Sequence, residues 1–146
     1  MLTTLSYYRP HWTGLTRYAQ GIAEGLVARG HDVTVLTSRH DPTLHRTERA
    51  AGVDIVRLPV AARVSRTMVM PRYPLELWRQ LGRHDVLHVH TPMPEALLAT
   101  VLARLRGVPT VVTHQGDVVM PKGAANRVVQ AAMTITMGAA LRLADA

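Results

Sequence analysis

The sequence predicts an α/β fold, with a mostly parallel, doubly wound sheet covered by helices on both faces. Three observations predict it. Apolar strand-like segments alternate with amphipathic helix-like ones along the chain, the pattern of layered α/β domains. Residues 1–38 read as strand, glycine-bearing loop, helix and strand, a βαβ unit whose crossover is right-handed by default. VTVLT is apolar on both faces, as a strand covered from both sides must be.

The first strand is expected over Met1–Tyr8, followed by a loop from Arg9 to Thr13. Thr13 suits the N-cap of a helix running from Gly14 to Arg29, because its hydroxyl can accept from a free backbone N–H. Leu15, Tyr18, Ala19, Ile22 and Leu26 share one helical face, the expected buried side. Gly30 suits a left-handed C-cap, and the second strand follows, ending at Ser38. Residues 39–52 are polar and contain Pro42, so they read as a loop with a short helical turn. Asp54–Leu58 reads as a short strand ending at Pro59, and residues 60–73 as irregular and basic. Pro74 can sit in the first turn of a helix whose apolar side is Leu75, Leu77, Trp78 and Leu81. DVLHVH at 85–90 is a buried strand. Pro92 or Pro94 opens the next helix, and Gly107 caps it. Val108–His114 is a strand, residues 115–123 a loop, and Ala124–Leu143 a long helix. The pattern stops where a further strand is expected, and no internal repeat is visible. One domain over residues 1–146 is the expectation.

Composition bounds the chemistry. The chain has 17 Lys+Arg against 10 Asp+Glu, a net charge of +7, and a pI near 11.0. Such a surface favours anionic partners such as phosphates or acidic lipid. Arg supplies nearly all the positive charge, and its guanidinium forks onto phosphate. Cys is absent, which excludes disulfides and thiolate metal sites. No leader segment is recognisable, and no apolar run approaches the roughly 18 residues of a membrane span. The expectation is a cytoplasmic protein, with peripheral contact at the inner face of a membrane as a further option. The basic stretch from Arg63 to Arg83, with Met68, Met70, Tyr73, Leu75, Trp78 and Leu81, could lie on an anionic bilayer or be an ordinary amphipathic crossover helix. Nucleic-acid binding is not supported, because no motif accompanies the charge.

In open parallel sheets, ligands sit at the carboxyl ends of the strands. Polar groups that collect there are Arg9, His11 and Gly14, then Ser38 and Arg39, then His90 and Thr91, and finally His114, Gln115, Gly116 and Asp117. Gly14 could let an anion approach the helix N-terminus or simply make a tight turn. The loop is neither a G-x-G-x-x-G fingerprint nor a P-loop. Gly21 and Gly25 form a GxxxG pair, expected to serve close packing. His88 and His90 share a strand face. With His114 they lack convincing metal-ligand spacing, so no metal site is expected. His88 is expected to be partly buried and hydrogen-bonded, and His90 to lie nearer the cleft. His114 could bind a hydroxyl or handle a proton, or bond to backbone. Asp117 could orient a hydroxyl, cap its loop or pair with an arginine.

Three stretches carry a resemblance. YYRPHWTGLTRYAQGIAEGLVARGHDVTVLTS, DVLHVHTPMPEALLA and GVPTVVTHQGDVVMPKG resemble, in order, successive landmarks of family 4 glycosyltransferases. The resemblance covers essentially the whole chain. It implies the N-terminal, acceptor-side half of a GT-B architecture, which pairs two Rossmann-like domains across a cleft. It implies retaining transfer of a sugar from a nucleotide-sugar donor to a hydroxyl of a glycan or lipid acceptor. The nucleotide-sugar is a substrate, and no cofactor or metal is implied. By position, Gly14 with Thr13 would lie near the donor diphosphate. His114 and Asp117 would be the catalytic pair, and Arg9, His11, His90, Gln115 and Gly116 would bind substrate. Two departures stand out. The family often has adjacent glycines where this chain has Thr13–Gly14. Its sugar-contacting histidine precedes a small residue and Asp, where this chain has Gln115; His114 is one position early. The donor-binding half is not among these residues, so the chain alone is expected to be inactive. The alternative is a stand-alone binding module for an anionic lipid or a partner polypeptide.

Overall fold

The computed structural model describes residues 1–64, 67–116 and 124–146. A six-stranded sheet carries β1 (Leu2–Thr4), β2 (Thr34–Arg39), β3 (Thr47–Ala50), β4 (Val53–Pro59), β7 (Leu87–Thr91) and β8 (Thr110–His114) in the order β3-β4-β2-β1-β7-β8. A small antiparallel pair, β5 (Ala62–Val64) and β6 (Thr67–Val69), stands apart. The helices are α1 (Gly14–Val27), α2 (Tyr73–Leu81), α3 (Ala96–Arg106) and α4 (Ala124–Leu143). All pairings in the large sheet are parallel except β3 with β4. The sheet is doubly wound and Rossmann-like. One face buries Leu5, Val33, Val35 and Ile55 under Ala19 and Ala23 of α1. The other buries Leu2, Leu36, Leu87 and Val89 under residues of α2, α3 and α4. Each fully buried Leu of this second core contributes roughly 1.5–3 kcal/mol by leaving water.

Most elements lie where the apolar pattern puts them, with shifted ends. Thr13 is the N-cap of α1, and Gly30 and Gly107 both adopt left-handed φ. The sheet-paired part of the first strand is shorter than Met1–Tyr8, yet Leu5 and Tyr8 stay buried beyond it.

Four expectations need correction. Residues 39–52 are not only loop: Thr47–Ala50 form an edge strand. Its outward Thr47 and Arg49 are exposed, so an edge strand here carries a polar sequence. Ala51 and Gly52 both take positive φ, 51° and 77°, the requirement of a tight two-residue hairpin turn. Residues 60–73 are not irregular throughout, because β5 and β6 pair there and bury Met68 and Met70. The buried side of α1 is Thr16, Ala19 and Ala23, while Tyr18 is 50% exposed. Small side chains let the helix lie close to the sheet, and the bulky Tyr18 is left at the rim. The GxxxG pair does not serve close helix packing: a Cβ at Gly21 would meet nothing within 4 Å, and one at Gly25 only the Arg29 guanidinium at 3.4 Å.

The last residues run beside the β8 edge, where Asp145 N donates to Thr110 O and Val112 N to Ala146 O. Among the described residues, no helix is long and apolar enough to cross a membrane.

Candidate functional site

The carboxyl ends of β1, β2, β4, β7 and β8 point to one edge of the sheet, as parallel pairing demands. The N-terminus of α1 opens there. Thr13 Oγ1 accepts from Thr16 N at 3.2 Å, and Thr16 Oγ1 accepts from Thr13 N at 2.7 Å. This reciprocal cap satisfies one first-turn donor and the cap's own N–H. Gly14 is exposed, and open space surrounds the position of its missing Cβ. The first turn holds no acidic residue. The positive end of the helix dipole therefore faces solvent over a bare backbone, a ready site for an anion.

Next to it lie the ends of β7 and β8, which pair His90 with Thr113 and Thr91 with His114. His90 is 1% exposed. Burial first, and His88 second, push its pKa down to about 3, so the ring is neutral at physiological pH. Its Nδ1 lies 3.1 Å from Gln115 Nε2, while Nε2 is buried without a protein partner. The two rings, His88 and His90, lie 4.1 Å apart. His88 Nε2 shares a 2.7 Å hydrogen bond with the Thr113 hydroxyl, and burial lowers its pKa as well. His114 Nδ1 shares a hydrogen bond with Thr91 Oγ1 at 3.0 Å. Gly116 follows at φ 127°, a conformation open to glycine alone. Asp117 lies outside the described residues, as does most of the 115–123 loop. Among the described residues, no group of three or more His, Cys, Asp or Glu is placed to hold a metal ion.

The remaining expected residues are held elsewhere on the edge. Arg9 pairs with Glu24 of α1 at 3.7 Å. His11 stacks on Tyr7 at 4.6 Å and meets His40 edge-on at 5.5 Å. Burial, and then His11, lower the His40 pKa. The structure thus gathers His90 with Gln115, and His114 with Thr91. It sets His11 in a separate aromatic cluster and ties Arg9 to a carboxylate.

Sequence reasoning missed several residues. Tyr18 presents an edge to the His90 ring at 6.2 Å between centroids; helical spacing alone had put it in the core. Arg57 is 2% exposed and holds Glu48 at 2.7 Å, with Arg9 O and His45 O as further acceptors. The signal was present, since a charge within VDIVRLP needs a partner. Glu95, with a buried unpartnered Oε2, has its pKa raised by burial. It sits near Tyr73, whose hydroxyl shares a hydrogen bond with Thr4.

The family model for the glycosyl transferase 4-like domain matches residues 13–146. No curated protein matches the chain.

Proposed function

The chain belongs to the glycosyl transferase 4-like family, and from that premise we propose that it is the acceptor-side half of a retaining glycosyltransferase of GT-B architecture. The donor is a nucleotide-sugar, and the acceptor is a hydroxyl of a glycan or lipid. The observation that carries this reading is the open α1 N-terminus at Gly14. When the sugar leaves its diphosphate, negative charge grows on the leaving oxygen. A preorganised helix N-terminus stabilises that charge without reorganising. Gln115 and Gly116 are assigned to the sugar side, with the buried His90 behind Gln115, and His114 and Asp117 are assigned to the acceptor hydroxyl. His90 acts there through Gln115: its neutral ring accepts from the Gln115 amide and fixes that side chain's orientation. Alone, the chain binds the diphosphate without turnover, since one helix pole supplies only part of the charge stabilisation. A nucleotide-sugar donor places the reaction in the cytoplasm, and at the inner membrane face where the acceptor is a lipid.

Calorimetric titration with nucleoside diphosphates tests the reading. Binding that requires the diphosphate and weakens about tenfold in Gly14→Val is the expected result. Equal binding of the nucleoside without phosphates, or an unchanged Gly14→Val, removes the donor role.

A further inference from the structure

The described residues of the basic segment from Arg63 to Arg83 do not offer a broad apolar face. Met68, Met70, Tyr73 and Leu81 are in the core, and Trp78 is half-buried with the Arg106 guanidinium 4.0 Å above its ring. What the segment does build, together with β3 and β4, is a groove of about 540 Å³. Arg46, Arg57, Arg72 and Arg79 line it, with Leu75 and Glu76. The volume is that of an ordinary small-molecule site.

The groove's charges do not cancel. Glu76 is taken by Arg79 at 3.8 Å and by the Gln80 amide at 2.9 Å. Arg57 is taken by Glu48. Among the described residues, no carboxylate lies within ion-pair distance of Arg46 or Arg72. The wall behind them adds a buried Arg57 Nε that has no partner. Two exposed arginines, Arg46 and Arg72, thus line a concavity with surplus positive charge. That arrangement matches the geometry of a phosphate.

Two features narrow the ligand. Leu75 is 54% exposed in the same groove, an apolar surface beside the forks. Among the described residues, no aromatic lines the groove for a base to stack on. We propose that the groove binds a phosphate carried on an apolar tail, with Arg46 and Arg72 on the phosphate and Leu75 against the tail. Pro59, the last residue of β4, lines it, so it opens on the same sheet edge as Gly14. Its role as the anchor of a lipid acceptor rests on the transferase reading; ligand capture does not.

Calorimetry on the whole chain tests the site, with dihexanoyl phosphatidic acid below its micelle concentration as the probe. Dihexanoyl phosphatidylcholine and inorganic phosphate distinguish the sources of binding. Saturable binding of the phosphatidic acid is expected, tighter than either control. Arg46→Ala/Arg72→Ala should weaken it about tenfold or more. Leu75→Ser should weaken it while leaving inorganic phosphate unchanged. Arg29→Ala, an exposed arginine outside the groove, should change nothing. All these positions are exposed, and thermal melts confirm folding. No binding, equal affinity for phosphatidylcholine, or equal loss in Arg29→Ala overturns the site. Inorganic phosphate binding as tightly as the phosphatidic acid overturns the tail. Phosphatidic acid binding without any nucleoside diphosphate binding would leave the groove standing and remove the donor role of α1.

Discussion

Gln115 Nε2 lies 3.1 Å from His90 Nδ1. An amide nitrogen only donates, so Nδ1 accepts and the ring proton resides on Nε2. Gln115 thus sets the tautomer of a histidine one strand away. Nitrogen NMR of His90 should show protonated Nε2 and bare Nδ1. Gln115→Glu, which offers only acceptors when ionised, should move the proton to Nδ1. A wild-type ring protonated on Nδ1 would refute the assignment.

The His90 pKa has a consequence for stability. It falls from 6.5 unfolded to about 3 folded, so between these values the unfolded chain binds a proton that the folded chain does not. Stability is then lost as pH falls from about 6.5 towards 3, by up to about 1.4 kcal/mol per pH unit. His88 and His40 are shifted in the same direction; Glu95, raised by burial, acts in the opposite sense. Denaturant melts at pH 7 and pH 5 should show a smaller loss in His90→Gln than in the parent. An identical loss would mean that His90 does not remain neutral on folding.

Arg57 holds β4, β3 and the first loop together through Glu48, His45 O and Arg9 O. Arg57→Ala strands these acceptors and should cost about 2–3 kcal/mol by chemical denaturation. Part of the loss is relieved because Glu48 keeps 37% exposure. A change under about 0.5 kcal/mol, typical of surface substitutions, would contradict a structural role.

The β3–β4 turn gives a paired prediction. Gly52 needs positive φ, and a Cβ there would meet Val27 Cγ1 at 2.5 Å. Gly52→Ala should destabilise by about 1–3 kcal/mol. Ala51 already bears the strain of φ 51°, so Ala51→Gly should be neutral or stabilising. Thermal melts of both variants decide it, and a neutral Gly52→Ala would refute the turn geometry.

Gly21 is on the exposed side of α1 with open space around it. Gly21→Ala should therefore stabilise the chain by about 0.5–1 kcal/mol through helix propensity. Destabilisation would restore a packing role for the GxxxG pair.

The parts of the fold legible in the sequence were those where local chemistry and tertiary packing agree. Thr13 caps, Gly30 and Gly107 turn left-handed, and VTVLT is buried because it is covered on both sides. Tyr18 was misread because spacing defines a helical stripe but not its rotation. Ala19 and Ala23 pack closer to the sheet and displace the larger ring. The β3 strand was missed because an edge strand needs no alternating apolar face, and TERA has none. At the site, carboxyl-edge logic placed His90, Gln115 and His114 at one end of the sheet, where the ends of β7 and β8 carry them. It could not show that Arg9 is claimed by Glu24, or that His11 meets His40 edge-on. Those pairings depend on side chains far apart in sequence.

The most direct test of the account is amide NMR of the labelled chain during titration with uridine diphosphate and guanosine diphosphate. The account predicts saturable shifts centred on Gly14 and Leu15, at the open end of α1, which disappear in a folded Gly14→Val variant. A folded chain whose Gly14–Arg17 amides respond to neither diphosphate would contradict a donor site at this helix.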